Sequence, residues 1–493
     1  MSETKAPRKL SLFDVTNLVI GAIIGADIYV ASSFGAGLLG PFSLVVWVVA
    51  GLIAIVIALC FAQCAMMLPK VGGPYAYATR AWGPFAGFIV GWSLWLAEWV
   101  SLAVFPLAFT RYLMFFVPNL DVVSQSLVKV LFVVFLATTN IIGVRAAGRI
   151  NDALTLLKLA PLVFFVVTGL SWIIISPTVA LANFSPFAPF GFAGFGSAVV
   201  LIFWAYAGFE ISTIPADDVE KPSKTIPKAV IIGILVVTVF YLTTNIVLFG
   251  VRNYSQLATD TAPLAAASNG ILSSNVALAL FGSLLVGIGA LISVAGSDES
   301  GMIGTARLGY ALSADGLFPK IFAKIHTKFK TPYASIFIQS VTALAAALLA
   351  PLFGGLSLLI SVSVFFLAIA YLATSASVFP LRKKNPVPNV VYGKRKMVIP
   401  VLGIVFSAYL ITQCSLSQIA IGLLLLMVGI PIYIKFSPKK ELTEAKQALL
   451  SPQNIFRRIY RQENVFLAHV FHHLRKIFRR ITGKPDEAEA PIP

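Results

Sequence analysis

Six ionisable side chains sit in stretches that are otherwise apolar: Asp27, Glu98, Glu210, Asp298 and Glu299 are acids, and Lys158 is the lone base. In lipid, each charge costs roughly 2.5–3.5 kcal/mol at mid-depth even on an insertion scale. Five ionised acids against one base would cost about 10 kcal/mol or more. Some of these acids must be neutral, and others need a positive partner from outside. The chemistry open to such a set is proton exchange and the reception of a cation or an amine. No P-loop, hydrolytic or redox constellation, or metal-ligand spacing accompanies it. No cofactor, metal or ATP-driven step is expected, and the chain does not read as an enzyme.

The elements that hold these residues are long apolar segments. Of the 493 residues, 58% are hydrophobic and only 12% are charged, too apolar a balance for a soluble protein of this length. Runs long enough to cross a bilayer predict an all-α membrane protein of about twelve spans. They lie near 12–39, 42–68, 84–117, 126–144, 153–176, 194–215, 227–250, 273–313, 333–351, 356–381, 397–416 and 418–436. The third and eighth are long and predict tilt or overhang.

The first span is not an ordinary one. Gly21 and Gly25 weaken the helix near mid-depth, and Asp27 follows in Gly21-Ala-Ile-Ile-Gly-Ala-Asp-Ile-Tyr29. A helix interrupted there leaves N–H groups on one stub and carbonyls on the other, all needing partners. Broken helices of this kind build solute sites at the midplane. Asp27 has two readings: an N-cap accepting from Tyr29 or Val30, or a direct anchor for an ammonium group. In either, a second anion is repelled, so the break is expected to receive a carboxylate poorly.

The net charge of +17 describes orientation rather than nucleic-acid binding. With the N-terminus inside, 33 of the 37 basic residues fall on cytoplasmic segments, against Arg111, Lys129 and Arg252 outside and Lys158 within a span. That asymmetry places both termini in the cytoplasm. Cys60, Cys64 and Cys414 lie in apolar spans and read as small hydrophobes. The first apolar run is too long for a cleaved signal and reads as an uncleaved span.

Several short strings then come in a telling order. Lys70-Val-Gly-Gly-Pro-Tyr-Ala-Tyr77 reads as a Gly/Pro turn, followed by Gly83-Pro84 and Gly91-Trp92. Phe203-Trp-Ala-Tyr-Ala-Gly-Phe-Glu210 lies in the sixth span. Val219-Glu-Lys-Pro222, Thr225-Ile-Pro-Lys-Ala229, Ala311-Leu-Ser-Ala-Asp-Gly-Leu-Phe-Pro319 and Lys330-Thr-Pro332 follow. Together with the first-span glycines, this order resembles the amino acid–polyamine–organocation permeases, by motif from about residue 10 to 335 and by topology alone to 436. The family's usual Gly-Ser/Thr-Gly is here Gly25-Ala26-Asp27. The resemblance implies a five-plus-five inverted repeat with broken helices 1 and 6. Residues 1–11 then form a cytoplasmic N-terminus and 12–436 the transmembrane domain. Within that domain 12–176 is the first repeat, 194–381 the second, and 397–436 two extra helices.

The resemblance also implies a solute site between the two breaks, at Ile24, Gly25, Ala26, Asp27, Phe203, Trp204, Ala205, Ala207 and Glu210, with Glu98 of the third span facing it. Glu210, past Gly208, reads first as a cap for the inner stub. Glu98 has no break to cap and reads as a cation partner or proton site. Asp298 and Glu299 are about 100° apart on a helix, and one of them is expected to be protonated or paired with Lys158. The resemblance puts the Lys158 ammonium in the place of the sodium ion of sodium-coupled relatives, near the carbonyls of Gly21 and Ala22. The alternative is a static pair that staples spans five and eight. Trp204 and Tyr29 are gate candidates.

The tail at 437–493 contains a basic amphipathic stretch from Pro452 to Ile481, expected to lie on anionic lipid, with His469, His472 and His473 on a solvated face and disorder from Asp486. The expectation is a proton-coupled, alternating-access transporter in the cytoplasmic membrane, moving amino acids or related amines and polyamines, cationic ones preferred. The rivals are a neutral amino acid permease, an exchanger, and a non-transporting sensor or scaffold of the same fold.

Overall fold

A computed structural model describes residues 9–68, 72–143, 148–210, 219–384 and 397–437. Residues 1–436 form one compact unit. The tail, with the amphipathic stretch and histidines expected there, lies outside the described residues.

A backbone in lipid must satisfy its polar groups internally, and the chain does so almost entirely as helix. In order these are α1 Leu12–Ile23, α2 Asp27–Leu39, α3 Ser43–Met67, α4 Gly73–Trp82, α5 Pro84–Phe116 and α6 Val122–Ile142. Next come α7 Gly148–Ile175, α8 Pro177–Asn183, α9 Phe195–Phe203, α10 Pro222–Val251, α11 Tyr254–Thr259 and α12 Pro263–Ile271. The last are α13 Val276–Ala314, α14 Tyr333–Leu349, α15 Gly355–Lys384, α16 Val398–Thr412 and α17 Leu416–Phe436. Among the described residues, nine helical stretches are long and apolar enough to cross a membrane. Three shorter apolar helices, Leu12–Ile23, Phe195–Tyr206 and Val398–Thr412, accompany them. The only strand-like pairing among the described residues is Leu10 with Val219, where the Glu220 N–H donates to the Leu10 carbonyl at 2.9 Å.

Two segments differ from their expected form. The Gly/Pro string after the second span starts a helix rather than a turn: Gly72 takes φ 118°, and Pro74 falls in the first turn of α4, where its missing N–H costs nothing. The connections also hold α8, α11 and α12, too short and mixed in polarity for a periodic signal. The long third and eighth spans appear as α5, 33 residues, and α13, 39 residues.

The start of α1 follows ordinary capping chemistry. Ser11 and Asp14 form a capping box, with the Ser11 N–H donating to Asp14 Oδ2 at 2.8 Å and the Asp14 N–H to Ser11 Oγ at 3.3 Å. The helix stops at Ile23, and Ile24 turns extended at φ −74°, ψ 105°. Ile24, Gly25 and Ala26 form the break before α2. The second break follows Tyr206, where Ala207 is extended and Gly208 takes φ +113°.

Candidate functional site

The two breaks meet. A β-carbon on Gly208 would stand 2.5 Å from the carbonyl oxygen of Ala22, so the sixth-span break lies on the exposed carbonyl end of α1. The next carbonyl, of Ile23, accepts from the Tyr241 hydroxyl of α10 at 3.1 Å. At α2 the Tyr29 N–H goes back to the Ala26 carbonyl at 3.1 Å. The N–H groups of Gly25, Ala26 and Ile28 have no acceptor among the described residues. Buried N–H groups in that condition attract an anion.

Asp27 is the first residue of α2, and that helix has no side-chain cap. The N-cap position belongs to Ala26, and the Asp27 carboxylate accepts from neither Tyr29 nor Val30, so the N-cap arrangement is not formed. A β-carbon on Gly25 would lie 3.4 Å from Asp27 Oδ2 and 2.5 Å from Ser297 Oγ of α13. The first break is therefore wedged against the eighth span.

Glu210 does bond into its break: its Oε2 accepts from the Gly208 N–H at 3.0 Å and from the Tyr371 hydroxyl of α15 at 3.1 Å. Glu98 is half-buried on α5.

Lys158 on α7 packs against Gly296 of α13. A β-carbon there would meet Lys158 Cε at 2.6 Å and Nζ at 2.9 Å. Among the described residues Lys158 forms no ion pair within 4 Å, so the closed staple of spans five and eight is not formed. The carbonyl of Ala22 is turned to Gly208. Asp298 is two residues beyond Gly296, hence about 200° around the helix, away from Lys158. It is completely buried, and neither carboxyl oxygen has a hydrogen-bond partner among the described residues. Of the adjacent pair, Glu299 is the one on the lysine side.

Trp204 is buried beside Phe105, with ring centroids 6.0 Å apart. Its Nε1–H donates to Ser101 Oγ at 3.3 Å. Ser101 and Ser363 hydroxyls are 2.9 Å apart, and Ser363 donates to the Ala97 carbonyl at 3.0 Å. A hydroxyl has one proton, so the order is Trp204 to Ser101 to Ser363 to Ala97. Tyr29 is buried edge-on to Tyr112 at 5.6 Å, and the Tyr112 hydroxyl donates to the Tyr29 carbonyl at 3.1 Å. Phe203 faces the Tyr371 ring at 6.2 Å, while Ala205 is buried and Ala207 half-buried. Sequence reasoning missed Ser101, Ser363, Tyr241 and Tyr371. Each is a hydroxyl inside an apolar span, and that isolation was the available signal.

The model of the family described as "Amino acid permease" matches residues 10–434. The chain belongs to the amino acid permease family. This permease is 30% identical over 456 residues to the branched-chain amino acid permease BcaP of Bacillus subtilis, covering 89% of this chain and 94% of the relative. It is 29% identical to the methylthioribose transporter of the same organism, covering 77% and 82%. The human large neutral amino acids transporter small subunit 2 is 28% identical, covering 86% and 80%. The permease is accordingly a multi-pass membrane transporter of amino acids and not an enzyme.

Proposed function

We propose that this permease carries an amino acid with an extra positive charge, or a related amine, by proton-coupled alternating access. The observation that carries this reading is an acid at each break: Asp27 opens α2 just past the first, and Glu210 accepts from the Gly208 N–H within the second. Acids held in low dielectric favour a cation that passes between them. The unpaired N–H groups of Gly25, Ala26 and Ile28 add a place for an α-carboxylate, which ranks a cationic amino acid ahead of a polyamine. Lys158, which packs on Gly296 on the Glu299 side of α13, is the coupling group: it exchanges a proton as the helix bundle rocks around the breaks. In this reading the basic face is cytoplasmic, with both termini on that side.

A neutral, branched substrate is the second reading, favoured by the name of the relative at 30% identity. A thermal-stabilisation screen of the purified protein separates the two, using cationic amino acids, neutral amino acids, decarboxylated amines and polyamines. Cationic amino acids should stabilise most. Stabilisation by neutral amino acids alone would reject the cationic reading. Uptake into proteoliposomes under a pH gradient tests coupling, and a sodium requirement would remove Lys158 from its role. Binding without flux would point to a sensor.

A further inference from the structure

Remote from the breaks, the connection between α13 and α14 carries Lys320, Lys324, Lys328 and Lys330, all exposed. It is a built feature. Ser313 Oγ donates to the Pro319 carbonyl at 2.9 Å, and His326 Nδ1 accepts from the N–H groups of Lys328 and Phe329, each at 3.2 Å. Thr331 Oγ1 donates to the Ile141 carbonyl at the end of α6 at 2.6 Å. The one acid of this connection, Asp315, accepts from the Tyr75 hydroxyl at 3.0 Å. The four lysines have no anionic partner among the described residues.

A groove of about 290 Å³ lies beneath this connection, walled by Ile141, Ile321, Lys324, Tyr333, Phe337 and Ile338. It opens sideways along α14: Phe337 is 61% exposed and Ile321 43%. Among the described residues, Lys324 is the only charged one in its wall. A second groove of about 420 Å³, between Val166 of α7 and Leu235, Val239 and Phe240 of α10, has no charged wall at all. The first groove therefore combines an apolar trough that continues onto a lipid-facing helix with a cation at the rim where the spans end. An ammonium on a flexible apolar stem reaches from such a rim to a phosphate.

We propose that this groove binds an anionic phospholipid, with Lys324 on the headgroup phosphate and an acyl chain along Ile141, Phe337 and Ile338. Charge complementarity selects the head, and the apolar wall selects a lipid over a free phosphate. The site is independent of the transported solute.

Native mass spectrometry of the full-length protein in mild detergent tests it, with phosphatidylglycerol, phosphatidylcholine and glycerol 3-phosphate as probes. The first phosphatidylglycerol should bind more tightly than phosphatidylcholine. Lys324→Gln should weaken that first adduct about fivefold, with an unchanged lipid-free melting temperature. Lys383→Gln, an equal charge change on exposed α15 surface, should leave it unaltered. Equal losses in the two variants, no preference for the anionic lipid, or full displacement by glycerol 3-phosphate would each overturn the proposal.

Discussion

Gly208 stands so close to the carbonyl of Ala22 that a β-carbon would lie 2.5 Å from that oxygen, and its φ of +113° is one that other residues rarely adopt. Both constraints come from one fact: the interruption of the sixth span is seated on the end of the interrupted first span. Gly208→Ala must distort backbone on both sides, because neither the carbonyl nor the φ can yield as a side-chain tip would. The strain is about 1–3 kcal/mol. The variant should melt lower and lose most uptake in proteoliposomes; a wild-type melting temperature would show that the breaks do not bear on each other.

Gly296 raises the opposite case. An added methyl there meets the far end of a flexible side chain, Lys158 Cε and Nζ, which can swing aside at small cost to stability. What changes is where the ammonium sits. On the proposed coupling, Gly296→Ala should reproduce Lys158→Ala: pH-driven accumulation falls roughly tenfold, the effect of about 1.4 kcal/mol, with little change in melting. Accumulation at the wild-type level in either variant would dismiss Lys158 from coupling.

Much of this architecture could be read without coordinates, and physics decides where reading stopped. Bilayer thickness sets span length, so α5, α13 and α15 were visible as apolar runs. Glycines at mid-span marked both breaks, because each weakens a helix interior by about 1 kcal/mol relative to alanine. How far Glu98 is buried was not legible, because that depends on how α5 packs against its neighbours. The same holds for Asp298 and Glu299, whose 100° separation is plain but whose orientation follows from Gly296 lying against Lys158. The break was expected to leave N–H groups needing partners, but which amides they are, Gly25, Ala26 and Ile28, follows from how the backbone turns between α1 and α2.

Tyr371 ties α15 to the sixth-span break through Glu210 Oε2. Removing its hydroxyl leaves a buried carboxyl with one donor fewer, a loss of about 1–3 kcal/mol. Tyr371→Phe should lower stability by that amount in the wild-type background. In a Glu210→Ala background the same change should cost under about 0.5 kcal/mol, because the partner is already gone. Thermal unfolding of the four proteins closes the cycle; equal costs in both backgrounds would mean that the bond contributes nothing.

The chain of donors from Trp204 through Ser101 and Ser363 to Ala97 makes an ordered prediction about occlusion. Ser101 is held from both sides, accepting from the indole at 3.3 Å and lying 2.9 Å from Ser363. Ser101→Ala therefore frees the Trp204 N–H and strands the Ser363 oxygen, whereas Ser363→Ala leaves the indole bond in place. An indole N–H without a partner in a buried site costs about 1–3 kcal/mol, and the ring regains rotamers that the bond had excluded. The first variant should release preloaded solute from proteoliposomes faster than the second, and the second close to the wild-type rate. The test is the rank of the two efflux rates at equal protein density. Faster efflux from Ser363→Ala would place the constraint on α5 and α15 themselves, and Trp204 would then be a packing residue rather than a gate.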